Sequence, residues 1–545
     1  MRIKKFKIKN FKSVGEDELN FDFSENIIVL IGENNVGKSS ILQALDYFFS
    51  GTKTIPTKYF HNLKTDQQNA ISIEVKFDSL SENDKEHQAI KSYVSLDEND
   101  NEFFVLKKLY YYSEDGKAKC DYIAIVNGEE KKNPSGLTQN CDDLFTNEKM
   151  QKIFVPAVQE ISEIVDGKKK TTPFSQIFQL LLSEELQGTD QYKTLISALG
   201  SYAELFKEGT KHEKVQEIEN LITEKLKRII DAAGLIDVEL PAEDKLLPIP
   251  SLSTDDGRPV PIAPSDQGHG LQRSLIFALL ELYAEVVSSP DKEVGVTNLL
   301  LLEEPEIFMH PQMERKIANV LYTLAESGHV QVICTTHSPI MIRLVEKQKS
   351  LVRLIRNDEN KLEAIQVEEE IFRGDREEKK KTLRMVMNFD SSVKELFFAK
   401  RVILLEGDTE YMTFPRVADL LGIFDTTESK IKKDDITLIN CRSRNNIPIF
   451  QEVLNYFRIA YGVVHDLEGQ SATEGKNQEI VELLGSDENR RKYFDPKIED
   501  TLGIEEERPK WLKALEKVEE LHRAGTLEEK LGSYVRFIYR IGEES

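Results

Sequence analysis

The chain has 545 residues, a length that predicts roughly two to four domains rather than one core. Its net charge of −23 argues against a protein that coats nucleic acid through bulk positive charge, although it leaves room for a localised groove. No apolar run is long enough to span a bilayer, and the basic N-terminus is not followed by the apolar segment of a secretory signal. Four scattered cysteines form neither a metal-ligand pattern nor a disulfide framework. A cytoplasmic protein is therefore expected.

The first elements along the chain lead into a phosphate-binding motif. Apolar residues alternating with lysines predict an amphipathic edge strand at the N-terminus, and the apolar run at 27–31 is typical of a buried strand. The sequence GENNVGKS follows at 32–39 and opens into a predicted helix. The N–H groups of such a loop bind phosphates, Lys38 reaches the β- and γ-phosphates, and the Ser39 hydroxyl suits Mg²⁺. The sequence therefore predicts a nucleoside triphosphate site formed by Gly32, Asn34, Asn35, Gly37, Lys38, Ser39 and Ser40.

The region between this loop and residue 266 changes character twice. Up to about 165, alternating apolar residues predict strands at 71–77, 103–112 and 122–126. Residues 174–235 then carry apolar positions at helical spacing, which predict an insertion of two or three helices that is too short for a long coiled-coil arm. A proline-rich, turn-forming segment follows from 241 to 264.

Strand–helix alternation resumes at about 266 and carries further ATPase chemistry. The run at 299–302 predicts a buried strand ending in Glu303, which can hold Mg²⁺ through water, and Glu304, which can polarise the attacking water. A second buried strand at 330–334 is followed by His337, which can sense the γ-phosphate.

A glycine-containing loop precedes a helix predicted at 275–287. Ser265, Gly268 and Gly270 lie in the sequence SDQGHGLQR and form an anion site at the helix start. This site becomes useful if a second subunit presents it to the bound γ-phosphate. Residues 350–395 are then predicted to form a charged connector.

A second α/β unit is predicted from about residue 401 onward. A strand at 401–405 ends at Glu406, Glu410 follows after the turn at Gly407, and a helix is predicted from Tyr411 onward. Another strand at 461–465 ends in Asp466, and Glu468 is expected on the same side of the extended chain. Carboxylates at the tips of parallel strands suit a divalent cation.

The ATPase motifs, in the order GENNVGKS, SDQGHGLQ, LLLLEEPE and TTHS, resemble those of the ATP-binding-cassette-like ATPases of the SMC, RecF and OLD type. In that family two heads sandwich two ATP molecules. The resemblance implies that Glu303 binds Mg²⁺, Glu304 supports hydrolysis and His337 acts as the switch. The chain departs from the family in having Glu303 where many relatives have Asp, and SDQGHG in place of the commoner Ser-Gly-Gly loop.

The acidic residues of the second unit resemble those of a Toprim domain, the metal-binding fold shared by topoisomerases, primases and OLD-family nucleases. Glu468 departs from the usual Asp-x-Asp motif, and Lys497 stands where relatives often carry Ser. The resemblance implies one or two Mg²⁺ or Mn²⁺ ions and a lysine that neutralises charge on the cleaved phosphate. The residues it implies are Glu406, Glu410, Asp466 and Glu468 as ligands, Glu499 as a ligand of the second ion, and Lys510 as the lysine.

The chain is thus identified as an OLD-family member of α/β class, with an ABC-type ATPase head, a helical dimerisation insertion and a carboxyl-terminal Toprim domain of Rossmann-like fold. Predicted boundaries are 1–165 and 251–395 for the head with its connector, 166–250 for the insertion, and 396–545 for the Toprim domain. That family includes anti-phage defence nucleases such as Gabija nuclease subunits and retron-associated effectors. The resemblance implies an ATP-binding, metal-dependent and nucleotide-gated DNA endonuclease. The partners it implies are DNA, further copies of the chain in a homodimer or higher homo-oligomer, and a defence-system protein or nucleoprotein, with no membrane.

Other uses of these parts stay open. A non-nuclease DNA-maintenance ATPase would use its carboxyl-terminal unit only to recruit a partner, and a sensor ATPase that assembles with a partner is compatible with nuclease activity. A primase is disfavoured because the cysteine spacing offers no zinc ribbon, and a topoisomerase because the remaining length holds no tyrosine-nucleophile domain.

Overall fold

The computed structural model describes residues 1–87, 90–132, 145, 150, 152–157, 212–229, 233–239, 249–255, 267–287, 298–368, 371, 377–389, 391–423, 436–485, 487–505 and 509–539. The chain divides into two compact units. The first comprises Met1–Met341 with Ser350–Ile365, and the second comprises Ile342–Lys349 with Gln366–Ser545. The domain limits given above stay predictions.

The regular elements are numbered in chain order. The strands are β1 (Arg2–Lys9), β2 (Leu19–Asp22), β3 (Ile27–Gly32), β4 (Ile71–Asp78), β5 (Val94–Leu96), β6 (Glu102–Tyr112), β7 (Ala118–Val126), β8 (Glu129–Lys132), β9 (Lys152–Val155), β10 (Ala233–Glu239), β11 (Ile249–Asp255), β12 (Asn298–Glu303), β13 (Val330–Thr335), β14 (Leu351–Arg356), β15 (Leu362–Gln366), β16 (Arg401–Leu405), β17 (Ile436–Asn440), β18 (Tyr461–Asp466) and β19 (Arg491–Phe494). The helices are α1 (Lys38–Phe49), α2 (Glu82–Glu86), α3 (Glu213–Ile229), α4 (His269–Val287), α5 (Pro311–Glu326), α6 (Glu377–Phe389), α7 (Asp408–Leu420), α8 (Ile447–Tyr456), α9 (Gly475–Leu483), α10 (Ile498–Leu502), α11 (Lys510–Arg523) and α12 (Leu527–Tyr539).

An antiparallel sheet at the amino-terminal end has the strand order β2-β1-β4-β6-β7-β8, with β5 on β6. The predicted strands at 71–77, 103–112 and 122–126 are confirmed as β4, β6 and β7. The expectation that the N-terminal strand is an edge is wrong, because β1 pairs with both β2 and β4. Its lysines mark the face turned away from the core rather than an edge, and Lys7 lies 3.1 Å from Glu74 on β4.

The central sheet of the first unit has the order β15-β14-β3-β13-β12-β9. The pairings of β14 with β3, β3 with β13, β13 with β12 and β12 with β9 are all parallel. Every residue of β3 and β13 is buried, which explains why β3 is a continuous apolar run and why β13 is apolar except for Gln331 and Thr335. The carboxyl ends of β3, β12 and β13 meet at one edge, where the loops that follow them converge.

The prediction of a charged connector at 350–395 is wrong for its first part, which forms the strands β14 and β15. Strand β14 pairs with β3, and β15 pairs with β14. Both strands are short and carry charged residues, namely Arg353 and Arg356 in β14 and Glu363 in β15, so the local composition does not indicate a strand. Of the rest, residues 377–389 form α6.

The structure tests part of the predicted helical insertion. Helix α3 is confirmed, and its apolar positions Val215, Ile218, Ile222 and Leu226 are buried. The prediction of helix up to 235 and of turns from 241 to 264 is wrong at 233–239 and 249–255. These two segments are the strands β10 and β11, which pair antiparallel. The β-branched Ile236 and Val238 favour that extended backbone. The predicted helices at 174–211 lie outside the described residues.

The second unit contains a four-stranded sheet with the order β17-β16-β18-β19, in which all pairings are parallel. Strands β16 and β18 confirm the prediction at 401–405 and 461–465. One hydrophobic cluster joins the sheet to α7, α11 and α12, through residues that include Leu405, Phe414, Val464, Val518 and Val535. Within the part of the chain that the structure covers, no helix has the length and apolar composition that a membrane crossing requires.

Candidate nucleotide site and metal centre

The loop between β3 and α1 depends on two glycines. Gly32 has a φ of +149° and Gly37 a φ of +126°, a backbone region that L side chains rarely adopt. A Cβ on Gly32 would lie 2.5 Å from the Leu354 carbonyl oxygen, and one on Gly37 would lie 2.4 Å from Ser13 Oγ. Asn34 and Asn35 lie exposed on this loop, which leads into the amino end of α1, and the amino end of a helix favours anions.

Lys38 begins α1 and is buried. Its Nζ donates to the carbonyl oxygens of Gly32, at 2.9 Å, and Glu33, at 3.0 Å. Burial lowers the pKa of Lys38 to about 8, while the carboxylates of Glu304, Glu306 and Glu33 act in the opposite direction. An incoming phosphate would raise that pKa again, so the ammonium is suited to an anionic ligand. Ser39 and Ser40 follow in the first turn of the same helix.

Glu303 ends β12 and Glu304 follows it, at the same edge of the sheet as this loop. The Glu303 carboxylate accepts the Ala157 N–H at 3.2 Å. Glu304 has a left-handed φ of +43°, and its N–H donates to the Thr335 carbonyl oxygen at 3.1 Å. Its Oε1 lies 3.8 Å from His337 Nε2, so the structure brings the predicted hydrolytic carboxylate and the predicted switch together. Burial and Lys38 lower the pKa of His337.

The sequence analysis missed the role of Glu306. Its Oε1 accepts hydrogen bonds from Thr336 Oγ1 at 2.7 Å, from the His337 N–H at 2.7 Å and from the Ser338 N–H at 3.2 Å. Glu306 thus holds the loop that carries His337, and burial raises the pKa of its carboxyl. The signal in the sequence is the third acid of LLLLEEPE, which is Glu306. It lies beyond the end of the strand, where only the first two acids were considered as candidates.

The predicted anion loop ahead of α4 is only partly described. Ser265 lies outside the described residues, and α4 begins at His269, six positions ahead of the predicted start at 275. A Cβ on Gly268 would meet open space, and one on Gly270 would lie 3.6 Å from the Phe308 carbonyl oxygen. Neither glycine is therefore needed for local packing, and their part in a contact between subunits stays a prediction.

The metal centre predicted in the second unit has a geometric basis. Glu406 follows β16, Asp466 ends β18 and Glu410 lies in the first turn of α7. One oxygen atom from each of these carboxylates lies within 4.8 Å of the others. The Asp466 N–H donates to Glu406 Oε2 at 2.8 Å although the two residues are 60 positions apart in the chain. Adjacent parallel strands explain this convergence, because their carboxyl ends share one edge of the sheet.

Backbone donors fix the orientation of the other two acids. The Gly407 N–H donates to Glu410 Oε2 at 3.2 Å, and the Ile498 N–H donates to Asp466 Oδ1 at 3.1 Å. Burial, followed by mutual repulsion, raises the pKa of Glu410 and of Asp466, and burial also raises the pKa of Glu406. A divalent cation would relieve that repulsion, so this donor set of carboxylate oxygens fits Mg²⁺ or Mn²⁺.

Glu468 does not join this group, and the expected extended geometry is wrong. Strand β18 ends at Asp466, and Glu468 adopts a left-handed φ of +53°. The chain turns because the N–H groups of Leu467 and Glu468 donate to the carbonyl oxygens of Phe494 and Pro496. The Glu468 carboxylate instead lies 2.8 Å from Arg444 Nη2.

Glu499 and Lys510 lie beside each other near the same group. Glu499 is buried in α10, and its Oε1 lies 3.3 Å from Lys510 Nζ at the start of α11. Its charge raises the pKa of Glu406, Glu410 and Asp466, which places it within electrostatic reach of all three. Lys497 stands at the amino end of α10. Metal binding by Glu499 and phosphate contact by Lys510 stay predictions.

Family comparisons decide the assignment. The model of the AAA ATPase domain family matches residues 1–342, and that of the "Overcoming lysogenization defect protein-like, TOPRIM domain" matches residues 397–467. The chain belongs to the AAA ATPase domain family.

Curated relatives of this AAA ATPase domain protein carry nuclease names. The chain is 24% identical to the Old nuclease of Escherichia phage P2, over 75% of this chain and 68% of that protein. It is 22% identical to the OLD nuclease of Thermus scotoductus over 92% of both chains, and 21% identical to the endonuclease GajA of Bacillus cereus HuB5-5 over 93% of this chain and 82% of that one. Among solved structures, the SMC head bound to the C-winged helix domain of ScpA is similar at 14% identity and a TM-score of 0.44, covering 68% of this chain and 98% of that chain.

Two predictions from the sequence are confirmed by these matches. The protein joins an AAA ATPase domain to an OLD-like TOPRIM domain, and both are α/β folds with mixed or parallel sheets. It is an ATPase and nuclease of the OLD type, which implies the use of a nucleotide and of a divalent metal.

Proposed function

We propose that the protein is a DNA endonuclease that uses Mg²⁺ or Mn²⁺ and is gated by ATP. The observation that carries the proposal is the convergence of Glu406, Glu410 and Asp466 at the carboxyl edge of the second sheet. Glu406 and Asp466 stand at the tips of adjacent parallel strands and Glu410 in the first turn of α7. Three buried or half-buried acids with raised pKa values are costly for a fold without a cation to neutralise them.

The chain's own residues divide the work at this site. Glu406, Glu410 and Asp466 would bind the metal, which supplies a Lewis acid for water activation and for the leaving oxygen of a phosphodiester. Lys510, whose Nζ lies 3.3 Å from Glu499 Oε1, would balance the charge on the cleaved phosphate. The backbone N–H groups of Gly407 and Ile498 hold two of the carboxylates in place.

Nucleotide gating is supported by how the chain runs through the ATPase sheet. The loop of Gly32 and Gly37 with Lys38 and Ser39 would bind the phosphates and Mg²⁺, with Glu303 as a further ligand of that ion. Glu304 and His337 would support hydrolysis and sense the γ-phosphate. Strand β14 pairs with β3, and β15 beside it ends at Gln366, from which the chain continues as the second unit.

The partners in this proposal are DNA and a second copy of the chain. The second copy would present the Gly268–Gly270 loop to ATP, which gives a use to glycines that local packing does not require. Cys120, Cys334 and Cys441 are unbridged, which supports the reducing cytoplasm expected from the sequence. An anti-phage role, with a partner protein of a defence system, rests on the resemblance to OLD-family nucleases.

Plasmid cleavage tests the proposal. The full chain is incubated with supercoiled plasmid and Mg²⁺ or Mn²⁺, with and without ATP, beside Glu406→Gln and the exposed control Asp500→Asn. We expect nicking or linearisation by the wild type and by the control, and none by Glu406→Gln or in EDTA. Cleavage that survives Glu406→Gln would show that the nuclease centre lies elsewhere, and absence of cleavage by any form would favour a partner-binding role for the second unit.

A further inference from the structure

A buried arginine from a neighbouring loop holds the segment that follows β18. Arg444 lies in the loop between β17 and α8, and only 8% of its side chain is exposed. Its Nη1 donates to the Leu467 carbonyl oxygen at 2.9 Å and to Asn477 Oδ1 at 3.3 Å, while Nη2 lies 2.8 Å from Glu468 Oε2. One guanidinium thus binds both the backbone of the turn and the acidic side chain that the turn carries.

The backbone part of this arrangement does not depend on Glu468. Buried Asn477 donates from Nδ2 to the Ser471 carbonyl oxygen at 3.0 Å, which gives the turn a second anchor. Glu468 itself is 44% exposed, so its carboxylate can leave Arg444 while the turn stays in place. Arg444 would then keep its bonds to Leu467 and Asn477.

Glu468 lies two residues after Asp466, which makes a cation at the three-carboxylate group its second candidate partner. Arg444 lowers and Glu468 raises the pKa of Glu406, so both side chains lie within electrostatic reach of the three-carboxylate group. A glutamate has one methylene more than the aspartate usual at this position of the Asp-x-Asp motif. That extra length suits a carboxylate that alternates between two cationic partners.

We propose that Arg444 is a positioning residue that holds Glu468 away from the metal group. The site then binds one divalent cation through Glu406, Glu410 and Asp466, and a second, weaker one only when Glu468 exchanges Arg444 for that cation. The inference rests on the proposed metal site and adds to it what sets the affinity of the second ion.

Mn²⁺ binding to the whole chain tests this without any nuclease assay. Calorimetric or spin-resonance titration of the wild type should show one tight and one weaker binding event. Arg444→Gln removes the charge and keeps an amide donor for the Leu467 carbonyl, so it should tighten the weaker event by about five- to tenfold and leave the tight one unchanged. Arg444→Lys keeps the charge without the fork and should shift the weaker event in the same direction by less, which covers a failure of Arg444→Gln to fold.

Two further variants separate positioning from loop packing. Glu468→Gln should lose the weaker event alone, and the double variant with Arg444→Gln should behave like Glu468→Gln. Asn477→Ala removes the anchor to Ser471 and one hydrogen bond of Arg444 but keeps the charges of the Arg444–Glu468 ion pair, so it should leave the weaker event as it is. The proposal is overturned if Arg444→Gln leaves the weaker affinity unchanged, if Glu468→Gln still binds two ions, or if Asn477→Ala mimics Arg444→Gln. A wild-type chain that binds no Mn²⁺ would instead contradict the metal site itself.

Discussion

A single carboxylate oxygen organises the end of β13. Glu306 Oε1 accepts three hydrogen bonds from residues 336–338, and hydrogen bonds to a charged acceptor contribute about 1.5–3 kcal/mol each in typical proteins. We expect Glu306→Ala to lower the free energy of unfolding of the ATPase unit by about 2–4 kcal/mol and to slow ATP hydrolysis more than it weakens ATP binding. Urea unfolding and steady-state hydrolysis measure the two effects.

The exposed acid Glu16 offers a control for this change. Its carboxylate lies 3.8 Å from Lys64 at the surface, so Glu16→Ala should leave both quantities unchanged. Hydrolysis by Glu306→Ala at the wild-type rate would mean that the position of His337 does not depend on this carboxylate.

Asp466 links pH to stability in the metal-free protein. Because burial and neighbouring acids raise its pKa in the folded chain, the folded state binds more protons than the unfolded state once the pH exceeds the unfolded value of about 3.9. Stability then falls with rising pH, by about 1.4 kcal/mol per pH unit for each extra proton held. Asp466→Asn removes this term, so in EDTA it should melt at a higher temperature than the wild type at pH 8, with a smaller difference near pH 5.

Metal should reverse that ranking. In thermal melts, Mg²⁺ should raise the melting temperature of the wild type and of the exposed control Asp500→Asn. It should leave the melting temperature of Asp466→Asn unchanged. If Asp466→Asn is less stable than the wild type in EDTA at pH 8, the three acids are not mutually destabilising.

Strands β14 and β15 pack against the two glycines of the phosphate-binding loop. A Cβ on Gly37 would lie 3.2 Å from Leu362 Cδ2 of β15, whereas Leu351 begins β14 opposite Val29, away from the loop. Both leucines are buried, so replacing either by alanine should cost about 2–5 kcal/mol. Only Leu362→Ala should also weaken ATP binding several-fold, as measured by nucleotide titration, and equal weakening by Leu351→Ala would point to general loss of stability.

The burial of each strand determines whether the sequence could predict it. Strands β3, β12 and β13 lie inside a parallel sheet and are mostly apolar, so the sequence predicts their positions and their carboxyl-terminal ends. Strand β14 lies beside β3 yet carries arginines at two of its six positions, and nothing local distinguishes it from a charged connector. The place of β1 in its sheet and the hairpin of β10 and β11 depend on pairings with distant residues, which periodicity does not encode.

The candidate site was predictable where sheet geometry alone decides it. Glu406 and Asp466 meet because their strands are adjacent and parallel, and that follows from the order of motifs in the chain. Glu468 was misplaced because its conformation is set by bonds to Phe494 and Pro496, and its partner Arg444 comes from a loop with no motif of its own. The roles of Glu306 and Arg444 thus belong to tertiary contacts rather than to local sequence.

At the scale of the whole molecule, the decisive question is whether nucleotide controls the nuclease. Lys38→Ala removes the ammonium that caps the loop carbonyls of Gly32 and Glu33, so we expect ATP affinity to fall by at least about tenfold. Cleavage should then lose its response to ATP, whichever direction that response takes in the wild type. Mn²⁺ binding at the carboxylate group should stay within error of the wild type because that group lies in the other unit.

Glu304→Gln gives the complementary variant, since it should retain ATP binding while hydrolysis drops. If gating follows nucleotide occupancy, the DNA cleavage rate of Glu304→Gln should stay at the value of the ATP-bound protein for longer than that of the wild type. The cleavage rate of Lys38→Ala should stay at the value of the nucleotide-free protein. The measurement is plasmid cleavage over time at fixed Mg²⁺, with ATP added at zero time and monitored as it is consumed. Identical cleavage curves for the wild type and both variants, with ATP binding verified for Glu304→Gln and lost for Lys38→Ala, would show that the ATPase and the nuclease work independently on one chain.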